Sequence, residues 1–397
     1  MMSADATRPL AGIRVLDLSH VLAGPYASYQ LGLMGAEVTR IERLGGDDFV
    51  RGHGGTEAMK AARLGASFLS QNMGKRSMQL DLKSPRARDI YFRLAEQADV
   101  VCENFRPGVV DRLGVGFEAT RAVNPRIIYA SLTGFGPDGP LAGTPAYDHI
   151  LQGISGMMAM TGTPESGPMR VGFPIVDYVA GQALVAAVLA ALLHRARGHE
   201  EAQHLELSML DALVSLMGPY AVNHETTGAL RGLEGNGAFS DSPYSGLFDT
   251  REGQIVVTAN SPAQAARMRT AIGREDLAEE TDAGAIGAAL EAAFAADTAE
   301  VWEARLSSAG VPAARLRSLA EILAHPQMRQ GGLMRPLEVP ELGIEVHVPG
   351  LPFRHAGWAP PEATPAPSPG RDTDAILSAL GYDEAEIAAL RAEGVAG

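Results

Sequence analysis

Between Arg14 and Phe135 the chain repeats one pattern, a short apolar run followed by a helical segment and another short apolar run. Arg14 to Leu18 reads as a buried strand. HVLAGPYASYQLGLMGAEVTRIER follows as loop, helix and second strand, with Pro25 near the helix start and Gly35 at its end. SMQLDL, the helix SPRARDIYFRLAEQA capped by Ser84, and DVVCENF make a further unit. PGVVDRLGVGFEATRAVNP then leads to the strand RIIYASLTGF. Continuous apolar strands alternating with helices predict a parallel sheet covered on both faces, hence an α/β fold. Ligands of such sheets bind beyond the carboxyl ends of the strands. The loops after Leu18, Glu42, Asn104 and Leu132 are therefore the candidate binding surface.

The longest apolar run lies in MRVGFPIVDYVAGQALVAAVLAALLH, Met169 to His194. Its apolar residues fall all round the helix, which predicts packing on most sides. From Val179 to Leu193 it is shorter than the roughly 20 residues of a membrane span. Asp177 stands at the start of this helix, where free N–H groups favour a carboxylate. The residue alone allows two readings, a plain N-cap or an ionised nucleophile at the mouth of a buried helix. The helix end should keep Asp177 ionised near neutral pH, with burial acting in the opposite direction.

Beyond His194 a polar turn, a strand and another helix precede the glycine-rich GLEGNGAFSDSPYSG. Tyr244 to about Arg317 reads as a strand pair and helices, a smaller α+β domain. HPQMRQGGLMRPLEVPELGIEVHVPGLPFR reads as an extended return linker, TPAPSPG as a Pro-rich surface segment, and the tail as a capped amphipathic helix. The expected domains are 1–225, 226–325 and 326–397.

Composition excludes several functions. The net charge of -14 argues against a nucleic-acid partner. The single cysteine, Cys102, rules out an intramolecular disulfide and a cysteine-based zinc site, and it reads as a small core residue. No metal site is expected, since there is no HExxH pair, and there is no GxSxG elbow. GVGFEA follows a helix rather than the first strand, and Met73 to Ser77 lacks the glycine and hydroxyl of a P-loop. The N-terminal MMSADATRPLAG has no apolar signal core, so a cytoplasmic protein with no membrane partner is expected.

Several of these stretches, in order, resemble the class III coenzyme A transferases, the formyl-CoA and carnitine type, to which the α-methylacyl-CoA racemases are related. They are PLAGIRVLDLSHVLAGPYASYQLGLMGAEVTRIER, NMGKRSMQLDL, VVCENFRPGVVDRLG, NPRIIYASLTGFG, AYDHILQGISGMMAMTG and VGFPIVDYVAG. The resemblance implies a Rossmann-like large domain and a small α+β domain joined by long linkers, in an interlocked homodimer. It also implies no permanently bound cofactor, with an acyl-CoA thioester and a carboxylic acid as substrates.

By the same resemblance Asp177 is the catalytic nucleophile. It attacks the thioester to give a mixed anhydride and CoA thiolate. The thiolate then forms an aspartyl-CoA thioester as the first acid leaves, and the acceptor acid reverses both steps. The implied CoA-binding positions are His20, Val21, Ala23, Arg43, Lys75, Asn104, Phe105, Arg112 and Tyr147. Arg43, Lys75 and Arg112 suit phosphates, and Phe105 suits the adenine. Leu22 and Pro145 depart from the family pattern, which bears on the acceptor acid. The related racemases have a histidine base where this chain has Tyr147, a poor base at pH 7. His149 reads as a structural or surface residue, and Arg170 as a surface residue or a partner for a distal carboxylate. CoA transfer is therefore the expected activity, with succinyl-CoA as a family-level donor. The alternatives are an acyl-CoA racemase or epimerase and a non-catalytic CoA-binding protein.

Overall fold

The structure is a computed structural model that describes residues 8–46, 48–358 and 364–397. The start of the segment read as lacking a signal core, residues 1–7, lies outside them. The chain divides into two compact units, one of residues 1–158, 170–230 and 331–397, the other of 159–169 and 231–330.

The first unit is built on six parallel strands: β1 (Arg14–Asp17), β2 (Glu37–Arg43), β3 (Arg76–Leu80), β4 (Val100–Glu103), β5 (Ile128–Thr133) and β6 (Gln203–Ser208). Their spatial order is β3-β2-β1-β4-β5-β6, so the winding reverses between β1 and β4. That reversal opens a crevice at the carboxyl ends of the two central strands.

Side chains alternate across the pleat. Val15, Val100, Cys102, Ile128 and Ala130 face one core, with α1 (Ala23–Leu33), α6 (Ile175–Ala196) and α7 (Met209–Leu216). Leu16, Met78, Val101 and Tyr129 face the other, with α2 (Pro85–Ala95) and the C-terminal α12 (Thr373–Ala379) and α13 (Glu384–Ala392). The tail is thus two helices rather than one. Gly381 takes a left-handed φ of 90° between them, and Asp383 caps the second.

Two further expectations change. The supposed return linker contains an antiparallel hairpin, β10 (Met334–Val339) and β11 (Ile344–Pro349), with Leu337, Val339 and Val348 buried. The alternating L-E-V and V-H-V triplets carry the strand period of two, and the prolines around them masked it. Helix α6 is 22 residues long, which by length and composition is enough to cross a bilayer. It is buried on one face only, by Val176, Ala180, Leu184, Val188 and Ala191. An all-round apolar composition therefore does not mean all-round packing within this chain.

The second unit carries a three-stranded antiparallel sheet of β7 (Gly246–Asp249), β8 (Gln254–Val257) and β9 (Ala313–Arg315). Three helices, α9 (Pro262–Ile272), α10 (Ala283–Phe294) and α11 (Ala299–Ser308), share its core around Ile255, Met268, Phe294 and Trp302.

Candidate active site

A cleft of about 340 Å³ opens at the β1/β4 crevice. His20 and Val21 reach it from the loop after β1, Asn104 to Pro107 from the loop after β4, and Leu132 to Gly134 from the end of β5. Tyr147 and Asp177 complete it from the starts of α5 (Asp148–Ile154) and α6.

Asp177 is the third residue of α6, and Pro174 occupies the N-cap. The capping reading is thereby corrected. It is Asp148 that meets the helix end: one of its carboxylate oxygens accepts the Val176 N–H at 2.6 Å and the other accepts the Gln152 amide at 2.6 Å. Gln152 in turn accepts the Val171 N–H at 2.9 Å. Among the described residues none donates a hydrogen bond to the half-buried Asp177 carboxyl. Burial, with the nearby Asp148 charge adding to it, pushes that carboxyl up to about 7. Burial thus outweighs the helix end, and near neutral pH Asp177 is a mixture of acid and carboxylate.

The floor of the cleft is set by a bent turn after β1. Val21 is held at φ 67°, a left-handed conformation that a β-branched residue rarely adopts. The Asn104 amide clasps His20, accepting its N–H and donating to its carbonyl, both at 2.8 Å. The His20 ring lies 5.3 Å from that of Phe105, and burial lowers the imidazole's basicity. Glu103 accepts the Phe105 N–H at 2.8 Å, and burial pushes its carboxyl up to about 7.

Of the residues inferred from resemblance, the cleft brings together His20, Val21, Asn104, Phe105, Tyr147 and Asp177. Lys75 does not join them. It is buried to 1% exposure, and its ammonium donates to Asp17 at 3.0 Å, the Pro25 carbonyl at 2.9 Å and Ser28 at 2.8 Å. Its sequence position beside Arg76 gives no hint of this, because strand alternation decides which of the two faces inward. Ala23 is buried in the first turn of α1 rather than lining the cleft. Arg43 and Arg112 are exposed, at the end of β2 and on α3 (Val109–Leu113), and neither lines it. His149 and Arg170 are exposed and outside it. The cleft also includes Arg106, an exposed cation that the sequence reading passed over although it adjoins Phe105 in a flagged loop. Cys102 is fully buried and burial raises its thiol pKa, in keeping with a core role.

Fold and cleft together describe a parallel α/β sheet with a cleft at its switch point, where such sheets hold their ligands, and a half-buried carboxyl in that cleft. The family model of CoA-transferase family III matches residues 10–373, and the chain belongs to that family. It is 32% identical to the mouse succinyl-CoA:glutarate CoA-transferase, over 98% of this chain and 91% of that protein. It is 33% identical to the acetyl-CoA:oxalate CoA-transferase of Acetobacter aceti, over 90% and 92%. The crystal structure of Rv3272 from Mycobacterium tuberculosis superposes with a TM-score of 0.81 at 31% identity, covering 93% of this chain and 99% of that one. The protein is a CoA-transferase.

Proposed function

We propose that this enzyme moves CoA between a short dicarboxylic acid pair by covalent catalysis at Asp177. The observation that carries the reading is the Asp177 carboxyl, half-buried in the cleft without a hydrogen-bond donor among the described residues. A partly desolvated carboxylate is a stronger nucleophile than a fully hydrated one.

The carboxylate oxygen bonds to the thioester carbonyl carbon, and the C–S bond breaks to release CoA thiolate and leave an aspartyl–acyl anhydride. Thiolate attack on the aspartyl carbonyl expels the donor acid and forms an Asp177–CoA thioester. The acceptor carboxylate then attacks that thioester, and the returning thiolate takes up the acceptor's acyl group, which restores Asp177. No net proton or electron is consumed. Glutarate and oxalate, named in the relatives' activities, make short dicarboxylates the favoured acids. Arg106 at the cleft supplies a cation for an anionic group of the substrates.

Transfer is favoured over α-proton exchange because the cleft has Tyr147 where a racemase needs an imidazole, and His149 lies exposed outside it. A homodimer is part of the reading. Leu193, Val214, Leu216 and Val222 are exposed apolar residues on α6, α7 and α8 (Gly218–Thr227), and a second copy would cover them. Sedimentation of the full chain reports the assembly directly.

The mechanism is tested by incubating the enzyme with succinyl-CoA, adding borohydride and mapping peptides by mass spectrometry. The expected result is inactivation, with Asp177 reduced to the alcohol. Full turnover with no modification of the Asp177 peptide overturns it, and deuterium incorporation at the α-carbon without CoA transfer replaces it with racemisation.

A further inference from the structure

The conformation of Val21 is held from outside its own turn. Its N–H lies 3.3 Å from both carboxylate oxygens of Asp48, and its carbonyl accepts the Gln71 side-chain amide at 2.9 Å. Asp48 is fixed in turn by the guanidinium of Arg40, which is 1% exposed and also lies 3.4 Å from Glu42. Gln71 is fully buried, and its own carbonyl oxygen has no partner among the described residues, while its amide stays aimed at Val21. Neither Asp48 nor Gln71 lines the cleft. A left-handed β-branched residue persists only where its surroundings over-determine it, and such strain gathers at functional sites.

We propose that Asp48 and Gln71 are positioning residues for CoA transfer, which clamp Val21 by its N–H and its carbonyl and so set where His20 and the start of α1 meet the substrate. The proposal rests on the reading of this cleft as the acyl-transfer site. Asp48 acts on the N–H as a charged acceptor already oriented by Arg40, and Gln71 acts on the opposite side of the same residue. The Asn104 clasp on His20 continues the hold toward Asp177's side of the crevice. Once either clamp is lost, the turn relaxes toward an ordinary negative φ, and the neighbouring amides and the His20 ring leave their places.

The test compares kcat and KM for Asp48→Asn and Gln71→Met in the natural background and in a Val21→Gly background. Glycine adopts the left-handed region without strain, so the clamp has less to do there. In the natural background each variant is expected to lose between about tenfold and about a hundredfold in kcat/KM, the range that a small misplacement of a reactive group costs. Whatever Val21→Gly does alone, the further loss on adding Asp48→Asn or Gln71→Met is expected to shrink to about threefold or less, since the misplacement penalty has been removed. Equal losses in both backgrounds, or full activity of both folded single variants, overturn the proposal. Gln71→Met leaves the Arg40–Asp48 pair intact and carries the test if Asp48→Asn does not fold. Asp177→Asn is run beside them. If it still transfers CoA, the reading of the cleft fails; if it is inactive while the clamp variants are unaffected, only the clamp fails.

Discussion

Replacing Asp177 by asparagine should make the protein more stable at pH 8 while abolishing transfer. The carboxyl moves from its ordinary 3.8 in the unfolded chain up to about 7 in the folded one. Between those values the unfolded chain has released a proton that the folded protein retains, so stability is full below about 4 and falls as pH rises to about 7. At about 1.4 kcal/mol per pH unit the loss has an upper bound of about 4 kcal/mol. Solvent reaches part of the group, and screening brings the working figure to about 2 kcal/mol. An unfolding entropy of about 2 cal/mol/K per residue over this chain converts that to roughly 2–3 °C in Tm. Asparagine keeps the shape and has no proton to lose. The assay is thermal unfolding of both proteins from pH 4 to pH 8.5. The two melting temperatures should nearly coincide at pH 4, then diverge in favour of asparagine and level off above pH 7. A gap that does not change with pH, or a wild type that is the more stable at pH 8, refutes the claim that burial of this carboxyl is uncompensated.

Two further substitutions test the frame under the cleft. Lys75→Met leaves the fully buried Asp17 without its nearest cation and should cost about 3–5 kcal/mol in urea unfolding, whereas a loss below about 1 kcal/mol would mean the pair carries little. Gly181→Ala puts a methyl 2.7 Å from the Ala23 carbonyl and 2.8 Å from the Tyr26 ring, forcing α1 away from α6. It should lower stability by about 1–3 kcal/mol and reduce kcat/KM, because α1 begins beside the turn that carries His20. Wild-type Tm and activity would show that the two helices have slack.

The sheet was legible because its strands are buried on both faces, and runs such as VVCE and IIYASL have few other stable placements. The cleft was legible in part for a topological reason: ligand loops follow strand ends, which marked the loops after Leu18, Asn104 and Leu132, and the family resemblance singled out His20, Asn104 and Phe105 there. What escaped were properties that depend on a partner distant in sequence. Nothing local distinguishes Lys75, buried against Asp17, from Arg76, which faces solvent. The strand Ala313–Arg315 is short and alanine-rich, so its pairing with Ile255 to Val257 leaves no propensity signal. The cap of α6 comes from Asp148, nearly thirty residues earlier, and no N-cap rule reaches that far.

That distant cap also bears on the role proposed for Asp177. A helix N-terminus lowers the energy of a nearby carboxylate by up to about 2 kcal/mol in partly buried geometries. In this protein the Val176 N–H is bonded to Asp148, so that donor serves Asp148 and not Asp177. Asp148 then acts on its neighbour twice, by occupying a donor and by adding a negative charge beside it. A carboxylate left this basic is only partly ionised at pH 7, which costs part of the nucleophilic form. Against that loss stands a nucleophile that has no hydrogen bond from the described residues to shed before it attacks, each such bond being worth about 1 kcal/mol or more. On the proposed mechanism the balance favours attack as long as Asp148 holds the Val176 N–H. The site then divides its labour between two aspartates, Asp148 bonded to the helix end and Asp177 without a donor among the described residues.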